Sequence, residues 1–226
     1  VTTINAVGNG LSGATGTGKF VGDTSPTIVT PVIAQINDAN GNKMLLFSST
    51  PSAVNKVTIV NASTGTSPII EGTGNDTNVI LTINGQGNGG VAIHGTGTND
   101  SAGAGYVGEL ITSSATGVSL STATPKSITS ILVTAGDWDI WGRFQAAFTG
   151  TMTGMICSAS TTNNVTSASY QGWSITNTAG LSTPAIVCPL QPLSFSSSTT
   201  VYLVGESFFS SGTCTGSGEI YARRVR

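Results

Sequence analysis

Charge is scarce in this chain. Lys, Arg, Asp and Glu together make up 8% of its 226 residues, against roughly a quarter in an ordinary soluble domain. The formal net charge is −2, so no basic surface is available to neutralise phosphates, and nucleic-acid binding is set aside. Long apolar runs are also missing. None approaches the roughly 18 residues a membrane-spanning helix needs, and no signal-peptide core opens the chain, so membrane insertion is not expected. Cysteine is sparse and odd in number: Cys157, Cys188 and Cys214 include no CxxC pair and no Cys/His cluster. That pattern argues against a zinc site or a paired disulfide framework and leaves small buried strand positions as the expected role. Helical periodicity is absent as well, because Gly, Ser, Thr and Asn interrupt every window that would carry an apolar stripe.

What is present is the chemistry of strands and turns. Gly contributes 30 residues and Ser plus Thr contribute 63, beside many Val and Ile. A chain so poor in charge and so rich in β-branched residues does not fit the disordered class. It opens on Val1 and not on Met, and is expected to be a piece of a longer protein or a processed product.

Two halves follow different rules. From residue 1 to 104 the apolar bursts are short and bounded by glycine: Thr27–Val29, Met44–Phe47, Val57–Val60, Pro68–Ile70, Val79–Ile83 and Val91–Ile93. The links carry turn residues, as in Asn40-Gly41-Asn42, Ser63-Thr64-Gly65 and Gly72-Thr73-Gly74-Asn75-Asp76. Phe20 and Phe47 are the only aromatics in this half. So few bulky side chains do not easily enclose a core from one chain, so pairing with identical chains is expected to supply the burial. The expected fold is all-β: an intertwined, trimeric β-shaft over 1–104, with triple β-helix, β-prism and stacked small barrels all open. From 105 to 226 the strand candidates lengthen, as in Ser127–Val133, Trp138–Thr149, Thr153–Ser158, Gln171–Thr176, Val201–Phe209 and Glu219–Val225, and they carry all three Trp residues. This half is expected to be a β-sandwich head of jelly-roll type.

Several passages resemble bacteriophage tail-fibre proteins. In the first half they are Gly18–Pro31, with Lys19-Phe20-Val21-Gly22-Asp23-Thr24-Ser25-Pro26, and Gly72–Val79 running on to Gly87–Ile93. In the second they are Pro125–Ile131 with Ala135–Ile140, Thr200–Val204, and the terminal Gly218–Arg226. The resemblance implies a homotrimeric virion protein made in the host cytoplasm and exposed on the tail fibre. A β-shaft and distal head would attach to a host polysaccharide or outer-membrane protein, with other tail proteins joined through a preceding part. It implies no enzyme, cofactor or metal. A bacterial surface adhesin or lectin module, and a polysaccharide depolymerase, are the alternatives.

Candidate contact residues are Asp139, Trp141, Arg143, Tyr170 and Trp173. On the strand after Asp137, Trp138, Ile140, Phe144, Ala146 and Phe148 share one parity and are expected to face the core. Asp139, Trp141, Arg143 and Gln145 then face outward. Trp141 stands where the family more often has a small polar residue. An aromatic between Asp and Arg suits either packing between subunits or stacking on a sugar ring. Tyr170 and Trp173 follow the polar loop Ser158–Ser169, a connection of the kind that carries recognition, although strand packing also accounts for Trp173.

Other groups favour plain readings. Asp137 and Asp139 are the best pair for glycoside hydrolysis, yet a solvated strand entry accounts for both. Glu206 and Glu219 are placed to pair with Arg223 or Arg224. His94 is the sole histidine and has no nucleophile elbow; it is a solvent-facing strand end or, on a threefold axis, a metal ligand. Gly85–Gly90 lacks the Lys of a phosphate cradle.

Overall fold

The computed structural model describes residues 32–226 except 96, 99, 169–170 and 175–182, and in the strand at 171–174 it describes the backbone. The segment Gly18–Pro31, one of the passages carrying the family resemblance, lies outside the described residues. Described secondary structure is strand throughout, twelve in all, and no described helix is long and apolar enough to cross a membrane. Two compact units separate between Ala92 and Ile93. The first strand of the second unit begins at Leu110, so the expected boundary at 104/105 falls in a stretch with no described strand.

Among its described residues, the first unit contains two separate hairpins. β1 (Gln35–Asn37) pairs with β2 (Lys43–Leu46), and β3 (Asn55–Val60) pairs with β4 (Ile69–Gly74), both antiparallel. The first turn is made by Asp38, whose Oδ1 accepts from the backbone N–H of Asn40 at 2.9 Å and Asn42 at 2.8 Å, with Gly41 at φ 87°. Gly65, at φ 86°, serves the second turn. Two expected strands do not form: Val79–Ile83 and Val91–Ile93 have no ladder partner among the described residues. Gly72–Gly74, expected as a turn, closes β4 instead.

The second unit holds eight strands: β5 (Leu110–Leu120), β6 (Lys126–Val133), β7 (Gly136–Phe148), β8 (Met152–Ser160), β9 (Gln171–Ser174), β10 (Ala185–Phe195), β11 (Thr199–Phe209) and β12 (Cys214–Arg224). They form two four-stranded antiparallel sheets, ordered β10-β7-β12-β5 and β6-β11-β8-β9. The pairing is nested: β5 with β12, β6 with β11, β7 with β10, β8 with β9. One long hairpin, β5–β8 against β9–β12, is thus rolled into two sheets, the connection of a jelly roll.

The core lies between these sheets. Trp138, Ile140, Phe144 and Ala146 of β7 are buried against Met155 and Cys157 of β8, Val201 and Leu203 of β11, and Ile220 and Ala222 of β12, as the parity on β7 predicts. Cys157, Cys188 and Cys214 are all buried and unbridged, which also matches expectation. Room for the Phe144 ring comes from strand glycines. A Cβ on Gly205 would lie 2.5 Å from that ring, and one on Gly216 would lie 2.7 Å from Ile128 Cδ1.

β10 is not expected from the sequence, because Pro189 and Pro192 interrupt it. Both are tolerated because β10 is the edge of its sheet, and the register shifts between Cys188 and Gln191.

One junction ties the ends of the roll together. Arg224, near the end of β12, donates from Nε to Glu109 Oε2 at 2.9 Å and from Nη1 to the Ala135 carbonyl at 2.9 Å, and it also reaches Thr134 Oγ1. Its guanidinium lies 4.3 Å from the centre of the Trp138 ring. Glu109 Oε2 also accepts from Gly105 N–H at 2.8 Å. Glu109 is therefore the carboxylate partner of Arg224, in place of the expected Glu206 or Glu219. The physical reason is register: Glu109 sits at the mouth of β5, and β12 runs alongside it.

This packing makes the sandwich sensitive to single atoms. Gly205→Ala forces a methyl into the Phe144 ring and should cost about 1–3 kcal/mol, read as a lowered thermal midpoint. Gly90→Ala, whose added Cβ meets nothing within 4 Å, should leave the midpoint unchanged. Arg224→Met leaves Glu109 buried and unpaired, at a cost of about 3–5 kcal/mol. Burial works to raise the Glu109 pKa, but the Gly105 N–H and the Arg224 guanidinium outweigh it and hold the carboxyl below its ordinary value. Its contribution is therefore present above the ordinary carboxylate range and is lost as pH falls through the lowered value. Acid titration of the melting temperature should show that loss in the parent and a smaller one in Arg224→Met.

Candidate functional site

Three of the five candidate residues come together. Asp139, Trp141 and Arg143 project from the outer face of β7, where alternate positions point away from the core. In the ladder with β12 they stand opposite Arg223, Tyr221 and Glu219. The face thus carries three rungs: Asp139 with Arg223, Trp141 with Tyr221, and Arg143 with Glu219. The middle rung is an aromatic pair, with ring centroids 5.4 Å apart and planes 11° from parallel. The Glu219 carboxylate, hydrogen-bonded to the Tyr221 hydroxyl, pushes that phenol above its ordinary pKa.

The rest of the face is graded. On β5, beyond β12, Thr112 and Ser114 stand opposite Tyr221 and Glu219. On β10, at the other edge, Val187 stands opposite Arg143, and both Val187 (66%) and Leu190 (57%) are exposed. Two open hollows indent the polar side. One of about 160 Å³ is lined by Ser114, Arg143, Gln145, Ser217 and Glu219, and one of about 320 Å³ by Thr112, Glu219 and Tyr221.

The other two candidates lie elsewhere. Trp173 pairs through its backbone with Ile156 on β8, in the opposite sheet, so it does not join the Trp141 group. Tyr170 lies outside the described residues. The polar loop is shorter than expected, since β8 runs to Ser160. It is tied down rather than free. Asn164 and Ser127 exchange hydrogen bonds, Ser127 N–H to Asn164 Oδ1 at 2.8 Å and Asn164 N–H to Ser127 Oγ at 2.9 Å. Ser167 N–H donates to Ser158 Oγ at 3.1 Å. The loop lies over the outer face of the β6-β11-β8-β9 sheet, where Ser158, Val204 and Ile156 are buried. Tyr221 is the member that sequence reasoning misses. Its signal is the odd-numbered parity it shares with Glu219 and Arg223 on the last strand, but pairing of β12 with β7 is a long-range fact.

The geometry is poor for acid–base chemistry. A hydrogen bond from Ser194 and the nearby Arg226 guanidinium, 2.8 Å away, outweigh desolvation and hold Asp137 below the ordinary carboxylate range. A general acid needs the opposite shift. Burial raises the pKa of Glu206, but Glu206 stands on β11, in the other sheet from Asp137 and Asp139. His94 is exposed, and among the described residues no three His, Cys, Asp or Glu side chains are grouped to hold a metal.

No family model matches the sequence, and no curated protein matches it. Among solved structures, the chain is similar to two of infectious bursal disease virus. The Gx strain structure is 10% identical with a TM-score of 0.36, and the Gt strain structure is 11% identical with a TM-score of 0.32. The match covers 79% and 78% of this chain but 54% of each of theirs, so the chain spans about half their length. Likeness at that level carries no argument about function.

Glu206 has a consequence for stability. With its folded-state pKa raised, the folded protein holds a proton that the unfolded chain has released. Stability is then greatest at low pH and falls as pH rises through the ordinary carboxylate value towards the raised one. Glu206→Gln removes that loss. It should raise the melting temperature at neutral pH, with the gain fading as pH falls below the ordinary Glu value of about 4.3, where the carboxyl becomes protonated in both states.

Proposed function

We propose that this chain is the distal part of a homotrimeric virion fibre of bacteriophage tail-fibre type, whose heads attach the particle to a host cell surface. The observation that carries this reading is the distribution of burial. Residues 110–224 close a core of their own, whereas Met44, Leu45, Leu46 and Phe47 are 51–66% exposed, and Val57, Ile59, Ile70, Ile80 and Ile83 are 59–87% exposed. Four consecutive exposed apolar residues need cover on both faces of the ribbon. Further copies of the same chain, wound around it, supply such cover and give an intertwined shaft. The tail-fibre resemblance of Gly72–Ile93 and Gly218–Arg226 supports the same assembly.

The function is binding rather than catalysis. Three identical heads on one shaft turn individually weak contacts into avid attachment, because each later contact forms at high effective concentration. The receptor is a host polysaccharide or outer-membrane protein. The loop over β8 and the clefts between heads are the surfaces offered to it.

Light scattering across a dilution series tests the assembly. The expected mass is three times the 22.7 kDa chain, persisting on dilution. Labelled protein should then bind host cells saturably. A stable 22.7 kDa species would overturn the shaft, and with it the fibre.

A further inference from the structure

We infer that the outer face of the β10-β7-β12-β5 sheet is where one head docks against the head of a second copy of this chain; the inference rests on the trimeric reading above.

The sandwich treats its two outer faces differently. On the β6-β11-β8-β9 side, the chain covers itself. Ser158 and Val204 are fully buried, Ile156 is 6% exposed, and the loop at 161–168 is pinned there through Ser127 and Ser158. On the other side no described segment lies across the sheet. Trp141 and Tyr221 stand at its centre, with Val187 and Leu190 exposed along one edge.

The chemistry of the bare face selects the partner. Its central charges are Asp139 and Glu219 against Arg143 and Arg223, arranged in opposite order on neighbouring strands. They sum to zero, so three copies of the face gather around a threefold axis without net repulsion, and each offers charges of both signs to its neighbours. A foreign partner of strong charge would gain nothing from such a face. An aromatic centre with an apolar flank and a polar flank is also the anatomy of a protein interface. Its size agrees. Four strands at ~4.8 Å spacing and about 35 Å of length span on the order of 600 Å², close to the ~800 Å² per partner of a standard interface. The hollows suit a small ligand less well, since 160 and 320 Å³ fall below or at the floor of about 300 Å³ for a ligand cleft. Asp139, Trp141 and Arg143 are then subunit contacts, and receptor contact passes to the pinned loop and to the clefts between heads.

Photo-crosslinking of the full chain tests this. p-Benzoylphenylalanine replaces Tyr221 in one variant and Leu190 in a second, so that a folding defect at one position leaves the other to report. Thr162, exposed in the loop, takes it as the control. After irradiation, the first two should give covalent species at two and three times the chain mass on a denaturing gel, with partner peptides from β7, β10 or β12. The control should remain a single chain. If the unsubstituted protein is a stable trimer yet both variants stay single chains, the face is free and the inference falls while the trimer stands. The inference falls equally if purified host polysaccharide binds the trimer and Trp141→Ala abolishes that binding without interchain product. A single-chain mass for the unsubstituted protein removes both readings together.

Discussion

The junction of Arg224 with Glu109 is the constraint on which the second unit depends. The two residues stand 115 positions apart, at the outer ends of a hairpin that has been rolled into two sheets. Because the strand pairing is nested, β5 and β12 are the last partners to meet, and nothing local holds them. Arg224 supplies the hold: it binds Glu109 before β5, Thr134 and Ala135 between β6 and β7, and the Trp138 ring on β7. A one-residue slip of β12 would turn Arg224 to the outer face and Val225 into the buried network. In a chain with so few charges, one pair is placed inside, and its lone pairs and protons are met by neighbours.

Packing between the sheets follows from the same register. Phe144 and Leu203 are large, and the positions opposite them are glycines: Gly205 and Gly216 face the ring, and Gly142 and Gly218 face Leu203. Glycine within a strand weakens it by conformational entropy. Here the weakening is offset by burial of a full aromatic ring, worth about 2–3 kcal/mol. The abundance of glycine therefore has two causes in one chain. Gly41 and Gly65 serve turns that need positive φ, while the inward glycines of the sandwich make space.

The strands of the second unit are legible in the sequence where apolar residues alternate, and the face assignment on β7 follows from parity alone. β10 is hidden, because proline in a strand reads as interruption unless the strand is known to lie at an edge. The polar half of β5 is hidden too, since Thr112 to Ser119 offers almost no apolar alternation. The aliphatic bursts at Val79–Ile83 and Val91–Ile93 carry the same local signal as β3 yet find no ladder partner among the described residues. Pairing is a property of the partner as much as of the segment. The Trp141–Tyr221 rung is half legible for the same reason: one ring is visible on its strand, and the other requires the β7–β12 ladder.

Poverty of charge finally bears on the first unit. A two-stranded hairpin alone is marginal in water, and the hairpins β1–β2 and β3–β4 each expose nearly all of their aliphatic side chains. A segment that cannot bury itself has two ordinary outcomes. It remains solvated and disordered, which requires charge and few aliphatics, or it buries its surface against another chain. Residues 32–92 have the wrong composition for the first outcome, with Val, Ile and Leu where a solvated tail would carry Glu and Lys. Against an unrelated partner, the cover would have to match two hairpins of different register on both faces. In the trimer proposed above, every strand would meet a strand of the same length and pattern, so one sequence would solve the pairing for all chains at once.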